Sequence, residues 1–410
     1  MAFVLLLNSC SSVAKRLLKD INIMTDFSPD LLNQPVILDN GSSVIKAGFA
    51  GSQQPDVLEY AWIGNPLAER SMVTVSNKET YIGNSAYERR ATLHLESPYS
   101  TNAIMSWDRL EDLWDYVLLN KLEIEQLQEH PVVLTNSMST SKKEEEKMCE
   151  VLFEKFSIPA IYCSRDPIMS LYGLGRTTGC SVSCGHRGIG ITTVIDGMIV
   201  GGSSQISNTG GSAVTNTMLD LLRHNHPELE NGQNGIELMR SIKERCCELS
   251  KDFYNEIREY ELITSKASNN KYRLPDGNII EIGSERFEAP EIIFNPQAYG
   301  YSEIPLQKMI INSISRAGIL PRSQLLESIV LSGGSSLIKG FGERLTKEIR
   351  KEIDGNQKIM LNAPHERRLL PWIGGSVLSG LSTMKLLWKS KSAYREDKHF
   401  DFNTLYNNRM

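Results

Sequence analysis

Four polar residues near position 40 have the chemistry of a phosphate-binding loop. Ser42 and Ser43 offer hydroxyls and free backbone N–H groups, the donors that an anionic phosphate needs from a loop. Lys46, which follows shortly afterwards, can add a point charge to the same phosphate. Asp39 is placed to hold a hydrated divalent metal ion. The segment therefore predicts a site for a phosphorylated ligand.

The surrounding residues predict a hairpin that would position these side chains. Residues 36–38 are apolar and indicate a buried strand, and a second short strand returns toward residue 51. Asp39-Asn40-Gly41 is strong hairpin chemistry, because Asn and Gly tolerate the positive φ that a tight turn requires. Asn-Gly turns are common, so an ordinary surface hairpin is the alternative interpretation.

A second strand-turn-strand pattern covers residues 182–197, about 145 residues further along the chain. Its turn contains the run Cys184-Gly185-His186-Arg187-Gly188. Two turn-centred hairpins, each at the start of a lobe, indicate an internal duplication with a ligand between the halves. The two halves repeat the order of strands and turns but not the individual residues, so a chance arrangement is the alternative.

Two other features lie at positions where a ligand could bind. A buried strand at residues 328–332 runs into Gly333-Gly334, and glycine at such a junction lets the backbone approach a flat or charged ligand. Arg240, Lys243 and Glu244 fall on one face of a predicted helix. An exposed salt-bridge face is the ordinary role for such a trio.

The rest of the chain alternates strands and helices, which is typical of an α/β fold. Ser106 is suited to cap one helix, Ser141 and Glu144 form a capping box at the start of another, and Asp166-Pro167 begin a third. The elements predicted from pattern are strands at 72–75, 81–83, 131–135 and 158–163, helices at 107–114, 141–156, 166–172, 215–223, 235–260 and 341–353, and a hairpin around residues 275–277.

Composition limits the class of protein. A chain of 410 residues exceeds what one hydrophobic core usually serves, so two domains or lobes are expected. Hydrophobic residues make up 40% and charged residues 23%, which is ordinary globular composition. The 44 basic and 49 acidic residues give a net charge of −5 without a long basic run, which argues against a nucleic-acid groove.

The cysteines and the first residues bear on the compartment. Seven cysteines without a regular framework are typical of reduced thiols in an intracellular protein. Cys180, Cys184 and His186 are close in sequence, but one short cluster does not make a zinc site. No apolar run approaches the ~18 residues of a membrane span. We expect residues 1–33 to be a disordered extension and not a targeting signal, with Met24 as an alternative start.

Taken together, several motifs resemble the actin family in order and spacing, from about Gln34 to Ser392. They are Leu38-Asp39-Asn40-Gly41-Ser42 with residues 46–51, Ser170-Leu171-Tyr172 with residues 175–179, Leu331-Ser332-Gly333-Gly334, and residues 372–376. Within the family, residues 242–245, 272–277, 286–291 and 334–345 are most similar to the actin-related proteins that form the short filament of dynactin. The short stretch before Tyr81 departs from conventional actin, which has a longer loop there for the next subunit.

The resemblance implies the actin-like ATPase fold, an α/β fold with two lobes, each an RNase-H-like sheet flanked by helices. It also implies ATP or ADP with Mg²⁺ or Ca²⁺ in the cleft, and Asp39 would hold the metal indirectly, through water. The phosphates would be held by Ser42, Ser43, Val44 and Lys46 from one lobe and by Gly185, His186, Arg187 and Gly188 from the other. Ribose and base would be faced by Gly211, Arg240, Lys243 and Glu244, and the pocket closed by Gly333, Gly334, Ser335, Leu337, Ile338 and Arg368.

Four departures from the family's pattern weaken the expected metal site and hydrolysis. Ser183 and His186 stand where the family has aspartates that order metal-bound water. Gly190 replaces a histidine and Asp166 a glutamine, both near the attacking water. Asp39 and Asp166 remain as candidate catalytic residues, and we expect hydrolysis to be weak or absent.

Two more departures concern the turns. Ser43 and Arg187 stand where the family uses glycine, which should cost turn flexibility. In return, Arg187 could supply part of the metal's charge by touching a phosphate directly.

The resemblance divides the chain into lobes with the following bounds. The first-lobe core is expected at 34–60, 99–173 and 373–410 with a small excursion at 61–98, the second-lobe core at 174–209 and 302–372, and its outer subdomain at 210–301.

These expectations describe a cytoplasmic, cytoskeletal subunit that assembles head to tail with copies of itself. Its partners would be other dynactin subunits and, through them, dynein. Its role would be in microtubule-based transport and in nuclear or spindle positioning. It would bind no nucleic acid and would not insert directly into a membrane. The alternatives are a docking subunit of another assembly, such as a chromatin remodeller, or a divergent conventional actin. A sugar kinase of the same superfamily is disfavoured, because the chain leaves little room for a sugar-specific insertion and offers no well-placed base.

Overall fold

The computed structural model describes residues 33–67, 80–100, 103–226, 229, 233–262, 271–274, 277–318, 321–353 and 357–396. The predicted extension up to residue 32, the predicted strand at 72–75 and Pro275-Asp276 of the predicted hairpin lie outside these residues. The strands are β1 Val36–Asp39, β2 Val44–Phe49, β3 Val57–Tyr60, β4 Ile63–Pro66, β5 Tyr81–Ile82, β6 Leu93–Glu96, β7 Val132–Asn136, β8 Ala160–Arg165, β9 Gly179–Cys184, β10 Ile189–Ile195, β11 Met198–Ile199, β12 Gln205–Ser207, β13 Lys271–Arg273, β14 Ile279–Glu281, β15 Ile329–Ser332, β16 Leu361–Asn362 and β17 Lys389–Ser390.

The helices are α1 Asn84–Glu88, α2 Trp107–Asp115, α3 Lys142–Glu154, α4 Asp166–Gly173, α5 Gly211–Asn225, α6 Gln233–Cys246, α7 Phe253–Leu262, α8 Glu285–Glu288, α9 Leu306–Ser315, α10 Arg322–Leu326, α11 Phe341–Lys351, α12 Leu370–Ser379 and α13 Lys391–Glu396. Short 3₁₀ turns and one π-helical turn, Tyr116–Lys121, supplement them. None of the helices in the described part of the chain combines the length and apolar composition that crossing a membrane requires.

The first large sheet has the strand order β17-β8-β7-β1-β2-β3. Strand β1 lies at its centre, antiparallel to β2 and parallel to β7, and every residue of β1 is buried. The β1–β2 register pairs Asp39 with Lys46 across the hairpin. The predicted hairpin therefore forms the middle of a sheet and not a surface element.

The second large sheet repeats this arrangement. Its order is β11-β10-β9-β15-β16, with β12 paired to β10. Strand β9 is antiparallel to β10 and parallel to β15, as β1 is to β2 and β7. Helices pack around both sheets, which confirms the predicted α/β class with two sheets flanked by helices.

Helices α4 and α12 join the two sheets through one apolar cluster. Gly374 on α12 lies so close to the Met169 carbonyl on α4 that no larger residue would fit. Trp372 is fully buried and donates from Nε1 to the Ile37 carbonyl of β1 at 3.2 Å. This packing holds the two central hairpins in a fixed relation, which is what a site between them needs.

The three-stranded sheet β5-β4-β6 forms a small outgrowth above the first sheet. Its helix α1 carries Tyr87, whose hydroxyl lies 3.1 Å from the hydroxyl of Ser241 on α6. The Tyr87 ring stacks on Tyr60 of β3, with ring centroids 4.3 Å apart. The outgrowth thus contacts a helix associated with the second sheet.

The predicted helix over residues 235–260 is wrong in extent. Helix α6 ends at Cys246 and α7 begins at Phe253. Between them, the N–H groups of Glu248 and Leu249 bond to the carbonyls of Arg286 and Lys339, at 3.1 and 2.8 Å. Tertiary hydrogen bonds to distant segments replace the helical ones here, and local periodicity does not reveal such bonds.

Candidate functional site

A cavity of about 780 Å³ lies between the two central hairpins. Its volume falls in the range of ordinary ligand pockets. Among the lining residues are Asp39 to Val44, Lys46, Tyr60, Tyr99, Asp166, Ser183, Gly185 to Gly188, Arg240, Lys243 to Glu248, Lys271, Arg286, Gly333 to Ser335, Leu337 to Lys339 and Arg368. Both sheets therefore contribute their turns to one site.

The first turn is built differently from the prediction. Neither Asn40 nor Gly41 has a positive φ, so conformational freedom does not explain the glycine. A Cβ atom on Gly41 would instead collide with the Val44 carbonyl oxygen. Ser43 also avoids the left-handed region, and the expected cost of replacing glycine there is not seen in its backbone.

Asp39 and Lys46 form an ion pair at the base of this turn. Lys46 Nζ lies 2.6 Å from Asp39 Oδ2, and their side chains are only 12% and 8% exposed. The strand register places the two residues opposite each other, so the contact follows directly from the hairpin. Lys46 thus faces the cavity while it offsets the charge of Asp39.

Asn40 anchors the turn to Trp114 on helix α2 and to Tyr99. Its Oδ1 accepts hydrogen bonds from the Tyr99 hydroxyl at 2.7 Å and from Trp114 Nε1 at 3.2 Å. Tyr99 in turn carries Arg187 of the second turn over its ring, with Arg187 Cζ 5.8 Å from the ring centroid. This chain of contacts ties one turn to the other across the cavity.

The second turn is closed by its own backbone and by helix α5. Gly185 N–H donates to the Gly188 carbonyl at 2.9 Å. At the start of α5, the N–H groups of Gly211 and Ser212 donate to the carbonyls of Gly185 and His186, at 2.9 and 2.8 Å. These bonds satisfy helix N–H groups that would otherwise lack partners and fix the turn in place.

His186 and Arg187 differ in electrostatic state. Burial, together with the positive charges of Lys243, Arg240 and Arg187, lowers the pKa of His186 to about 3. The imidazole is therefore neutral at pH 7, whereas Arg187 remains a cation although burial lowers its pKa. Arg187 has no positive φ, so the turn accepts it without backbone strain.

Helix α6 lines the cavity with Arg240, Lys243 and Glu244. Arg240 is 7% exposed, bonds to Glu244 Oε1 at 3.0 Å, and lies over the Tyr60 ring with Cζ 4.8 Å from the centroid. Lys243 Nζ donates to the Gly211 carbonyl and to Thr215 Oγ1, each at 3.0 Å. Burial and the nearby Arg240 lower the pKa of Lys243 to about 8. Arg240 and Lys243 are thus buried in the cavity wall, whereas Glu244, which also lines the cavity, is 54% exposed.

The Gly333-Gly334 junction closes the far side. Gly333 has a φ of +85°, and a Cβ atom on it would collide with the Cys184 backbone. Ser335 donates from Oγ to the Gly185 carbonyl at 2.9 Å, which joins this junction to the second turn. Glycine at position 333 therefore permits the close approach of the neighbouring strand β9.

Asp166 and Ser183 meet inside the cavity. Ser183 Oγ donates to Asp166 Oδ2 at 2.5 Å. Burial raises the pKa of Asp166 to about 7, with a smaller contribution from the charge of Asp39, so this carboxyl is partly protonated at neutral pH. Gly190 lies beside Met138, and a Cβ there would come 2.8 Å from Met138 Cβ. Met138 therefore occupies the space that a side chain at 190 would need.

The structure brings nearly all of the predicted ligand-binding residues to this cavity. The exception is Gly211, which does not line the cavity but lies against two residues that do, Lys243 and Ser335. Sequence reasoning missed Tyr60, Tyr99 and Asn40 as lining residues, because their positions depend on contacts between distant segments. It also missed a charged rim, formed by Arg245, Lys271, Arg286 and Lys339 together with Glu248, which pairs with Arg286 and Lys339.

Comparison with known proteins agrees with this geometry. The family model for actin matches residues 31–400. Centractin of Saccharomyces cerevisiae (strain ATCC 204508 / S288c) is 38% identical over 367 residues, which cover 90% of this chain and 95% of that protein. Centractin of Schizosaccharomyces pombe (strain 972 / ATCC 24843) is 34% identical over 370 residues, covering 90% and 97%. With its two repeated sheets and the cavity between their turns, this chain belongs to the actin family.

Proposed function

We propose that this chain is an actin-related filament subunit of centractin type that holds ATP or ADP in the cavity between its two sheets. Membership of the actin family implies nucleotide binding with a divalent cation. The observation that carries the proposal is the convergence of both turns, the α6 wall and the Gly333-Gly334 junction on one cavity. A nucleoside phosphate fits it, because backbone N–H groups, hydroxyls and cations line it together.

Each wall of the cavity has a role in this proposal. Phosphates would be held by the Ser42-Ser43 turn, Val44 and Lys46 on one side and by residues 185–188 on the other. Lys243 and Glu244 would contact ribose and base, with Arg240 fixing Glu244 in place through its hydrogen bond. The remaining closing residues would be Gly333 to Ser335, Leu337, Ile338 and Arg368.

We infer that the bound nucleotide is hydrolysed slowly or not at all. Phosphoryl transfer to water needs a positioned water and electrostatic stabilisation of the phosphate as the bond breaks. The Ser183 hydroxyl donates its hydrogen bond to Asp166, and Gly190 has no side chain that could bind a water. The ionised fraction of Asp166 would repel the terminal phosphate, and this repulsion outweighs its use as a base.

We infer further that the chain assembles head to tail, through heterologous contacts that extend a filament unless it is capped. The filament would be that of the dynactin complex in the cytoplasm, where it supports dynein-driven transport. The names of the two curated relatives support this role over that of a docking subunit in a chromatin remodeller or of a divergent conventional actin.

Electron microscopy of the purified chain, alone and with its co-purifying partners, tests the assembly. Short filaments, together with dynactin subunits in a pull-down, are expected. A strictly monomeric species at all concentrations, with no dynactin subunits captured, would contradict the proposal.

A further inference from the structure

The cavity offers few ligands to a divalent cation. Mg²⁺ and Ca²⁺ take oxygen ligands and usually rely on carboxylates, directly or through waters. The carboxylates that line the cavity beside the two turns are Asp39 at the end of β1 and Asp166 at the start of α4. Among the described residues, no three His, Cys, Asp or Glu side chains are grouped so that they could hold a metal ion.

Both carboxylates already have partners. Asp39 is paired with Lys46 at 2.6 Å, and this ammonium offsets the charge that would attract a hydrated cation. Asp166 accepts the Ser183 hydroxyl, so one of its oxygens is occupied. Ser183 on β9 and His186 in the second turn, which also line the cavity, add no carboxylate. The residues present therefore do not fit a divalent metal site.

The same region presents protein cations to the cavity. Arg187 lines the cavity at the tip of the second turn and is 8% exposed. Tyr99 supports its guanidinium, and Asn40 of the first turn fixes Tyr99 by a 2.7 Å hydrogen bond. Lys46 faces the cavity from the opposite strand. A guanidinium presents paired N–H donors in a fork that matches phosphate oxygens.

We propose that this cavity binds a nucleoside di- or triphosphate without a divalent cation, and that Arg187 supplies the positive charge to the phosphates instead, while Lys46, whose charge Asp39 offsets, adds N–H donors. The proposal rests on the nucleotide-binding function proposed above. It adds one measurable property to that function: the affinity for nucleotide should depend on Arg187 and not on added metal.

Nucleotide affinity with and without metal tests the proposal. The full chain is freed of metal and nucleotide with EDTA, and binding of ethenoadenine-labelled ATP is measured by fluorescence in excess EDTA and in excess Mg²⁺. We expect dissociation constants within about threefold of each other, since protein cations supply the charge. Binding that Mg²⁺ strengthens more than about tenfold would overturn the metal-free site while leaving nucleotide binding intact. Failure to bind under either condition would overturn the proposed function and this inference together.

Variants of Arg187 test whether this residue supplies the charge that binds the phosphates. Arg187→Gln should weaken binding in EDTA by about tenfold or more, because a charge-assisted contact to phosphate is lost, and Mg²⁺ should not restore it. Arg187→Lys, which keeps the charge, should lose less. Lys143→Gln, at an exposed position on α3, is the matched control and should bind like the unmodified chain. Unchanged affinity in Arg187→Gln, with an unchanged melting temperature, would overturn the assignment.

A gain-of-dependence variant gives a second readout. Ser183→Asp combined with His186→Asp places two carboxylates beside the phosphates. In EDTA their charge should weaken nucleotide binding, and Mg²⁺ should recover about tenfold or more of the affinity. A double variant that remains indifferent to Mg²⁺ would contradict the view that these two positions set the metal requirement.

Discussion

Ser183 and Asp166 are joined by a hydrogen bond of 2.5 Å that links the two halves of the molecule inside the cavity. Ser183 belongs to β9 of the second sheet, and Asp166 follows β8 of the first sheet and begins α4. The bond uses the hydroxyl of one residue and an oxygen of the other, so neither group is wholly available to a water or a metal. It also places a carboxyl with a raised pKa at the boundary between the lobes.

This carboxyl should make stability depend on pH. The pKa of Asp166 is about 7 in the folded chain, whereas an aspartate in the unfolded chain loses its proton near pH 3.8. Its contribution is therefore fully present below pH 3.8 and is lost as pH rises through 7. Because Asp166 is only partly buried and solvent screens its charge, we expect a loss of only about 1–2 kcal/mol in the free energy of unfolding.

Urea unfolding of the ligand-free chain between pH 5 and 8 measures this effect. Asp166→Asn should flatten the decline with pH, while Asp220→Asn, at an exposed position on α5, should leave it unchanged. An identical slope in Asp166→Asn and the unmodified chain would show that Asp166 does not hold a proton in the folded state.

Gly333 and Gly334 should differ in how much stability is lost when each is replaced by alanine. Gly333 has a φ of +85° and no room for a Cβ beside Cys184, so Gly333→Ala should cost about 2–4 kcal/mol of stability and weaken nucleotide binding. Gly334 has nothing within 4 Å of an added Cβ, so Gly334→Ala should change stability by less than about 0.5 kcal/mol. Chemical denaturation compares the pair, and equal losses in both variants would contradict the assigned strain.

Helix α11 contains a buried and an exposed ion pair that should differ in strength. Arg344 forms a bidentate pair with Glu291 at 2.7 and 2.8 Å, and both side chains are under a tenth exposed. Glu291→Gln leaves Arg344 without its main counter-charge and should cost about 2–4 kcal/mol. Glu343, paired with Lys251, is 66% exposed, and Glu343→Gln should cost less than about 0.5 kcal/mol. If urea unfolding shows that Glu291→Gln loses no more stability than Glu343→Gln, the buried pair is not the stronger one.

Restoring the family's side chains should raise the rate of hydrolysis. The variant Ser183→Asp/His186→Asp/Asp166→Gln would return carboxylates to the second turn and remove the charge that repels the terminal phosphate. Single-turnover hydrolysis of bound ATP in the presence of Mg²⁺ should be faster in this variant than in the unmodified chain. Hydrolysis by the unmodified chain at the rate of polymerised actin, or no gain in the variant, would contradict the account.

Local sequence features identified the elements that local chemistry determines. The Ser141–Glu144 capping box is present, with Ser141 N–H donating to Glu144 and Glu144 N–H to Ser141, and Ser106 caps α2 as predicted. The hairpin at β1 and β2 and the helix beginning at Asp166-Pro167 were likewise predictable, because periodicity and turn residues are short-range signals.

Long-range contacts account for what the sequence could not show. The end of α6 at Cys246 depends on hydrogen bonds to residues near 286 and 339, and the reason for Gly41 depends on a close approach to Val44. Two of the segments that resemble the dynactin-type actin-related proteins, 286–291 and 334–345, contact each other through Glu291 and Arg344. Their side chains thus contribute to internal packing, which pattern alone cannot distinguish from a filament contact.

The nucleotide content of the purified chain tests the central claim most directly. The protein is purified gently without added nucleotide, denatured, and its released nucleotide quantified by chromatography beside a Lys46→Gln variant. We predict about one molecule of ATP or ADP per chain and a clear reduction in the variant, since a phosphate-facing cation is lost. A chain that carries no nucleotide and takes up none when ATP is added would contradict the account.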